Sequence, residues 1–215
     1  MRIKKVWAVY FSGTGTTEKT VRRIAAGMAQ ALDTELAVYD FTTPAARQRE
    51  LRFGTEELVV LGVPVYAGRV PNVLLPYLTK QLHGGGALAV PVVLFGNRNY
   101  DDALSELRLT LTSGGFHPVA GAAFSCQHSF SLTQGGGRPD ISDLTIATGF
   151  ADQVYHKVEA LPSAEACPPL FVKGNDPVGP YYTPRDRHGN PINILPVKPK
   201  TKDTCTQCGR CAKEC

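Results

Sequence analysis

The stretch Val6-Trp7-Ala8-Val9-Tyr10-Phe11-Ser12-Gly13-Thr14-Gly15-Thr16-Thr17 decides how the rest of the chain is read. Residues 6–11 are β-branched, aromatic or small and predict a strand. Six small residues follow, and then the period changes. Val21, Ile24, Ala25, Met28, Ala29 and Leu32 step by three and one, which is one face of a helix. A strand that runs through a small-residue loop into a helix brings backbone N–H groups to a helix N-terminus, where they can hold an anion. The hydroxyls of Ser12, Thr14, Thr16 and Thr17 add donors, and residues 12–17 contain no Lys or Arg. The loop is therefore a neutral cradle suited to a dianionic phosphate. A Ser/Thr-rich helix cap is the plainer reading, and the placement directly after the first strand disfavours it. The dinucleotide pattern GxGxxG fails because Gly13-Thr14-Gly15-Thr16-Thr17-Glu18 ends in Glu. The pattern GxxxxGK[ST] fails at the same residue, although Gly13 and Lys19-Thr20 are in register.

Working outward, strands are predicted over residues 36–41, 58–65, 90–95 and 119–125. The run LVVLGVPV at 58–65 is nearly continuous in apolar residues, as a parallel strand buried on both faces requires. Helical segments are predicted over 73–82, 102–113 and 141–161, with Gly84-Gly85-Gly86 and Gly114-Gly115 as stops. Residues 44–54 are few and carry Arg47, Arg49 and Arg52, so a stunted helix is expected in that crossover. Strands alternating with helices imply an α/β fold, a doubly wound five-stranded parallel sheet with helices on both faces. The order 2-1-3-4-5 fits, with a binding crevice at the carboxyl ends of strands 1 and 3.

With 215 residues, 43% of them apolar, the chain can build one packed domain plus an appendage. The net charge of +4 is scattered and forms no basic stripe with aromatics, which argues against nucleic acid as a partner. No apolar run reaches the ~20 residues a membrane span needs. The N-terminus enters a strand without a signal-peptide cleavage site, and the cysteines do not spread into a disulfide framework, so a cytoplasmic location is expected. Residues 1–161 are the expected domain. Residues 162–204 hold nine prolines and little periodicity. Phe171, Tyr181, Tyr182, Ile192, Ile194 and Leu195 are apolar enough to hold this stretch against the domain as a tethered arm. Residues 205–215 form a third segment.

Two loops follow strand carboxyl ends on the same edge as the phosphate loop. One is Pro64-Val65-Tyr66-Ala67-Gly68-Arg69-Val70-Pro71, the other Gly96-Asn97-Arg98-Asn99-Tyr100-Asp101-Asp102. Tyr66 and Tyr100 could each lay a ring on a planar ligand, worth ~0.5–1.5 kcal/mol beyond burial. Gly68 and Gly96 permit close backbone approach. Four of the six cysteines crowd into the last eleven residues as Cys205-x2-Cys208-x2-Cys211-x3-Cys215. This spacing suits a cubane iron–sulfur cluster, and a zinc ribbon would separate its two CxxC pairs further.

The small-residue loop resembles the (S/T)-x-T-G-x-T signature of flavodoxins, matched at Ser12, Thr14, Gly15 and Thr17. GVPVYAGRVP at 62–71, His128-Ser129-Phe130-Ser131 and Gly137-Arg138-Pro139-Asp140 resemble a flavodoxin–ferredoxin fusion family more closely, over essentially the whole chain. The resemblance implies a flavodoxin-like domain with FMN. Its phosphate would lie on Ser12, Gly13, Thr14, Gly15, Thr16 and Thr17. Its ring would lie on Pro64, Val65, Tyr66, Ala67, Gly68, Arg69, Gly96, Asn97, Arg98, Asn99, Tyr100 and Asp102. It implies [4Fe–4S] clusters on Cys205, Cys208, Cys211 and Cys215. In the bacterial run a Pro follows the fourth Cys, which serves the other cluster of a pair. The expectation is a truncated ferredoxin segment, its clusters absent or incomplete within these 215 residues. The implied function is electron transfer between FMN, clusters and redox partner proteins. A flavin-dependent reductase of a quinone or other small acceptor is the alternative, with His128, Phe130 or Arg138 lining a substrate pocket. A non-redox phosphate- or nucleotide-binding regulator is the third reading. Flavodoxins are acidic near the ring, whereas Arg69 and Arg98 stand in the ring loops here, so different potentials are expected.

Overall fold

The order of elements follows from where the apolar period changes. β1 (Lys5–Tyr10), α1 (Thr16–Ala31), β2 (Glu35–Asp40), β3 (Leu51–Arg52), β4 (Glu57–Pro64), α2 (Leu75–Lys80) and β5 (Leu82–His83) come first. β6 (Leu88–Phe95), α3 (Ala103–Ser113), β7 (His117–Pro118), β8 (Ala122–Ser125), α4 (Ile141–Glu159) and α5 (Arg210–Glu214) follow. The structure is a computed structural model and describes residues 1–193 and 200–214. Ile194, Leu195 and Cys215 of the sequence reading lie outside the described residues.

The main sheet runs β2-β1-β4-β6, and both β7 and β8 pair with β6 on its other side. Every pairing in it is parallel. β7 and β8 are two halves of one strand position, so the sheet has the order 2-1-3-4-5 of a flavodoxin-like α/β fold. Side chains alternate between two cores, as the period of a strand dictates. Leu58 and Val60 of β4 face α1 and α4, packing with Val21, Ile24, Met28, Ala151 and Val154. Val59, Leu61 and Val63 face α2 and α3, packing with Leu78, Leu107 and Leu111. α1 and α4 approach closely at Gly27, where a Cβ would stand 3.1 Å from that of Ala151.

Two local features differ from the sequence reading. The fifth strand is split. β7 pairs Ala89 with Pro118, whereas β8 pairs Val92 with Ala122, so one extra residue is inserted opposite Val90-Pro91. Pro91 has no N–H for the ladder, and a bulge is where a strand tolerates that. α2 is shorter than 73–82. Pro76 stands in its first turn, and Leu82 leaves it to pair with Leu51. The second crossover holds a 3-10 turn, Ala46–Gln48, and the short β3, in keeping with the stunted helix expected there.

Beyond α4 the chain crosses the α3 face of the domain. Leu170 and Val172 lie over Gly121, beside the split strand. Ser105 Oγ donates to the Asn175 carbonyl at 3.2 Å. The arm then reaches the carboxyl edge of the sheet.

Gly62 sits where β4 passes beneath α1, and a Cβ there would come within 2.2 Å of Val21 Cγ2. Gly62→Ala is therefore expected to lower stability by about 1–3 kcal/mol. Urea unfolding would show it as a lower midpoint with an unchanged slope. An unchanged midpoint would mean that α1 lies farther from the sheet.

Candidate functional site

The small-residue loop 12–17 is shaped by bonds at its two ends. Phe11 N–H donates to Gly62 O at 3.1 Å and Ser12 N–H to Thr42 Oγ1 at 2.9 Å, so the loop leaves β1 in a fixed direction. Ser12 Oγ accepts from Glu18 N–H at 3.0 Å, and Lys19 N–H returns to Gly15 O. Gly15 caps α1 in the left-handed region, φ 81°. A Cβ there would be strained and would project into open space at the mouth of the loop. Among the described residues, the N–H groups of residues 13–17 have no acceptor within the chain. Glu18 does not oppose an anion. Its carboxylate accepts from Tyr10 OH at 2.9 Å and pairs with Arg22 at 3.0 Å. Thr17 is buried beneath the loop.

Two ring loops stand beside it. Tyr66 and Arg69 close a tight turn through N–H···O bonds of 2.9 and 3.1 Å, with Ala67 at φ 50° and Gly68 at φ 79°. Positive φ at both central residues is the geometry of a type I′ turn. The second loop folds on an Asx turn, in which Asn99 Oδ1 accepts from Tyr100 and Asp101 N–H. Asp102 N–H donates to Gly68 O at 3.0 Å, so the loops brace one another. A Cβ on Gly68 would strike Asp101 Oδ2 at 2.4 Å.

A third wall comes from residues 126–134 after β8. Cys126, Gln127, His128 and Ser129 join Gly13, Thr14, Thr16, Thr17 and Tyr66 around an inner cleft. Burial pushes the Cys126 thiol up. Val65, Gly96 and His128 also line an outer cavity, together with Phe95, Asn97, Arg98, Asn99, Phe130 and Tyr182. The two spaces are thus contiguous through shared walls. His128 Nδ1 accepts from Phe130 N–H at 3.1 Å, so a neutral ring carries its proton on Nε2. Gly96 lies under that ring, where a Cβ would be 2.5 Å from His128 Cδ2.

The residues named from sequence divide between the two cavities and the contact with the arm. Tyr66 borders the inner cleft, its hydroxyl 3.9 Å from a Cβ position on Gly13. Tyr100 turns to Phe95, 5.5 Å between ring centroids, and to Lys173 of the arm. Arg69 is mostly covered and pairs with Glu106, with Nε–Oε2 at 2.8 Å, and also donates to the Gly179 carbonyl. Asp102 is buried and accepts from Asn175 N–H and Gly179 N–H at 2.9 and 2.8 Å. Arg69 and Asp102 therefore anchor the arm. Arg98 pairs with Asp101 and lies 4.7 Å from the Tyr182 ring centroid. Each arginine of the ring loops thus has a carboxylate partner.

Sequence reasoning missed Tyr182 as a wall of the outer cavity. It sits in a proline-rich stretch without periodicity, and only its aromatic character set it apart. Cys205, Cys208 and Cys211 are exposed, and no three His, Cys, Asp or Glu side chains gather as a metal site among the described residues. The backbone N–H of Arg210 pulls the Cys208 thiol down. No described helix is long and apolar enough to cross a membrane.

The fold is shared with solved flavoproteins at low sequence identity. A flavodoxin from the domain Archaea superposes with a TM-score of 0.51 and 13% identity, covering 72% of this chain and 99% of its own. Flavodoxin 2 from Bacillus cereus gives 0.50 and 14%, covering 72% and 99%. The apo form of an NADH:FMN oxidoreductase gives 0.50 and 16%, covering 74% and 92%. These likenesses establish the flavodoxin-like fold. No protein-family profile and no curated protein matches the sequence.

The Asp102 carboxyl is held below its ordinary value of 3.8, first by the Asn175 N–H and then by that of Gly179. A depressed carboxyl stabilises the fold above its unfolded value and ceases to do so as pH falls through the folded one. The arm is therefore expected to stay anchored at neutral pH and to release only below about 3.8. Amide hydrogen exchange at Asn175 and Gly179 reports this directly. Loss of protection already near pH 6 would contradict it.

Proposed function

We propose that this chain is an FMN-binding redox protein that passes electrons between its flavin and an iron–sulfur cluster carried by the cysteine segment. One observation supports the flavin above all. A cradle of unpartnered N–H groups at the start of α1 opens into an aromatic-walled cavity on the same sheet edge. One anion and one planar ring, side by side, are what that pair of spaces fits. Bound FMN would supply an electron store that fills and empties one or two electrons at a time.

The chain's own residues would hold it. The N–H groups of residues 13–17 and the hydroxyls of Thr14 and Thr16 would bind the phosphate, helped by the positive end of α1. The turn at Ala67-Gly68 and the backbone of Gly96 and Asn97 would flank the ring. His128, at the junction of the two spaces, would offer its Nε2–H to a polar edge. Among the described residues the edge has one anion cradle, which favours FMN over a pyrophosphate-containing flavin.

In this reading residues 1–161 are the flavin domain, 162–204 the arm, and 205–215 a cluster-binding segment. The support for a cluster is the spacing of Cys205, Cys208, Cys211 and Cys215. Redox proteins that exchange single electrons are the partners this arrangement suits.

Heat release and chromatography of the cofactor should yield FMN, and recovered FAD would reject the proposal. Gly15→Val places a β-branched side chain at φ 81° in the mouth of the cradle. It is expected to weaken FMN binding at least tenfold, measured by quenching of flavin fluorescence. Unchanged affinity would remove the phosphate from this loop. For the cysteine segment, anaerobic treatment with iron and sulfide should load the wild-type chain more than Cys208→Ser. Equal iron and sulfide in both would detach the cysteines from any cluster.

A further inference from the structure

Tyr182 stands in a part of the chain that a flavodoxin fold does not need. The archaeal flavodoxin uses 99% of its own length to match 72% of this chain, so more than a quarter of the present chain lies outside the match. Yet residues 175–182 are tied to the two ring loops more firmly than a passing surface segment requires. Asn175 and Gly179 bind the buried carboxylate of Asp102 through backbone N–H groups, and the Asn175 side chain adds a bond of 3.0 Å. Arg69, paired with Glu106, donates to the Gly179 carbonyl and lies 4.7 Å from the Tyr181 ring centroid. Tyr181 OH donates to Val70 O at 2.8 Å. Tyr182 N–H donates to Ala67 O at 2.7 Å, in the tight turn of the first ring loop.

These anchors fix the backbone of Tyr182 at the rim of the outer cavity. Its side chain is a cavity wall beside Phe130 and His128, and Arg98 packs on the ring. With Arg98 on it, Tyr182 is still 51% exposed, a large aromatic surface held at a cavity mouth. Phe171, earlier on the same arm, is 90% exposed and lines none of the described cavities, so exposure alone is not what marks Tyr182.

We infer that the arm is part of the ligand site, and that Tyr182 is a positioning residue that packs against the planar ring of the ligand in the outer cavity. Asp102 and the Arg69–Glu106 pair act through the arm by holding Tyr182 there. This inference rests on the flavin reading, and it adds a wall that a flavodoxin fold by itself does not supply. It also ties the ring end of the site to the chain that leads to the cysteine segment.

The test compares FMN with riboflavin, which has the ring but no phosphate, in fluorescence titrations of the full chain. Tyr182→Ala is expected to weaken both ligands by the same factor, roughly tenfold, because only a ring contact is lost. Tyr182→Phe is expected to bind both as the wild type does. Asp102→Asn, which weakens the anchor at a distance from the cavity, should raise amide exchange over residues 179–182 and reproduce the loss. Wild-type binding of FMN together with unchanged affinities in Tyr182→Ala would overturn this inference and leave the flavin reading standing. Failure of the wild type to bind either compound would overturn the flavin reading itself. A loss for FMN but not for riboflavin would place Tyr182 against the phosphate and reject a ring contact.

Discussion

Burial of both faces of β1, β4 and β6 is the constraint on which the rest of the structure depends. A parallel sheet needs a crossover between neighbouring strands, and the crossovers place helices on its two faces. Apolar side chains then pack in two cores, one under α1 and α4 and the other under α2 and α3. Because the strands are parallel, all their carboxyl ends share one edge. The phosphate loop, both ring loops and the wall after β8 are brought together by that geometry and need no attraction for one another.

Within this frame the buried polar groups decide the detail. Glu106 is a charge in an apolar neighbourhood, satisfied by the Arg69 guanidinium and by Val70 N–H. Asp102 is satisfied almost wholly by the arm. Removing one partner of such a buried pair typically costs about 3–5 kcal/mol, because the other charge is left without compensation. The arm therefore completes the hydrogen bonding of residues that the domain has already buried. That is a stronger tie than its proline-rich composition suggests.

The charge around the ring cavity follows from the same pairing. Arg69 and Arg98 look like free cations in the sequence, but Glu106 and Asp101 answer them. The field at the cavity is that of two ion pairs, with the Arg98 guanidinium packed on Tyr182. Any effect of these arginines on a bound ring is smaller than their formal charges imply, and it falls mainly to Arg98, the more exposed of the two.

Periodicity and small residues were enough, by themselves, to determine the strand–loop–helix start, the alternation of strands and helices, and the loops at the carboxyl edge. Each of these depends on neighbours within a few positions: the continuous apolar run LVVLGVPV, the run of small residues before α1, the glycines that end helices. The register between strands is not local, so the bulge opposite Pro91 became visible only when β6 met β7 and β8. The places of Arg69, Asp102, Tyr100 and Tyr182 were likewise decided by the tertiary structure. Arg69 meets a carbonyl 110 residues away, and Asp102 meets an amide 73 residues away. Such pairings are selected by which buried charges still lack a partner once the sheet has formed, and no pattern along the chain records that.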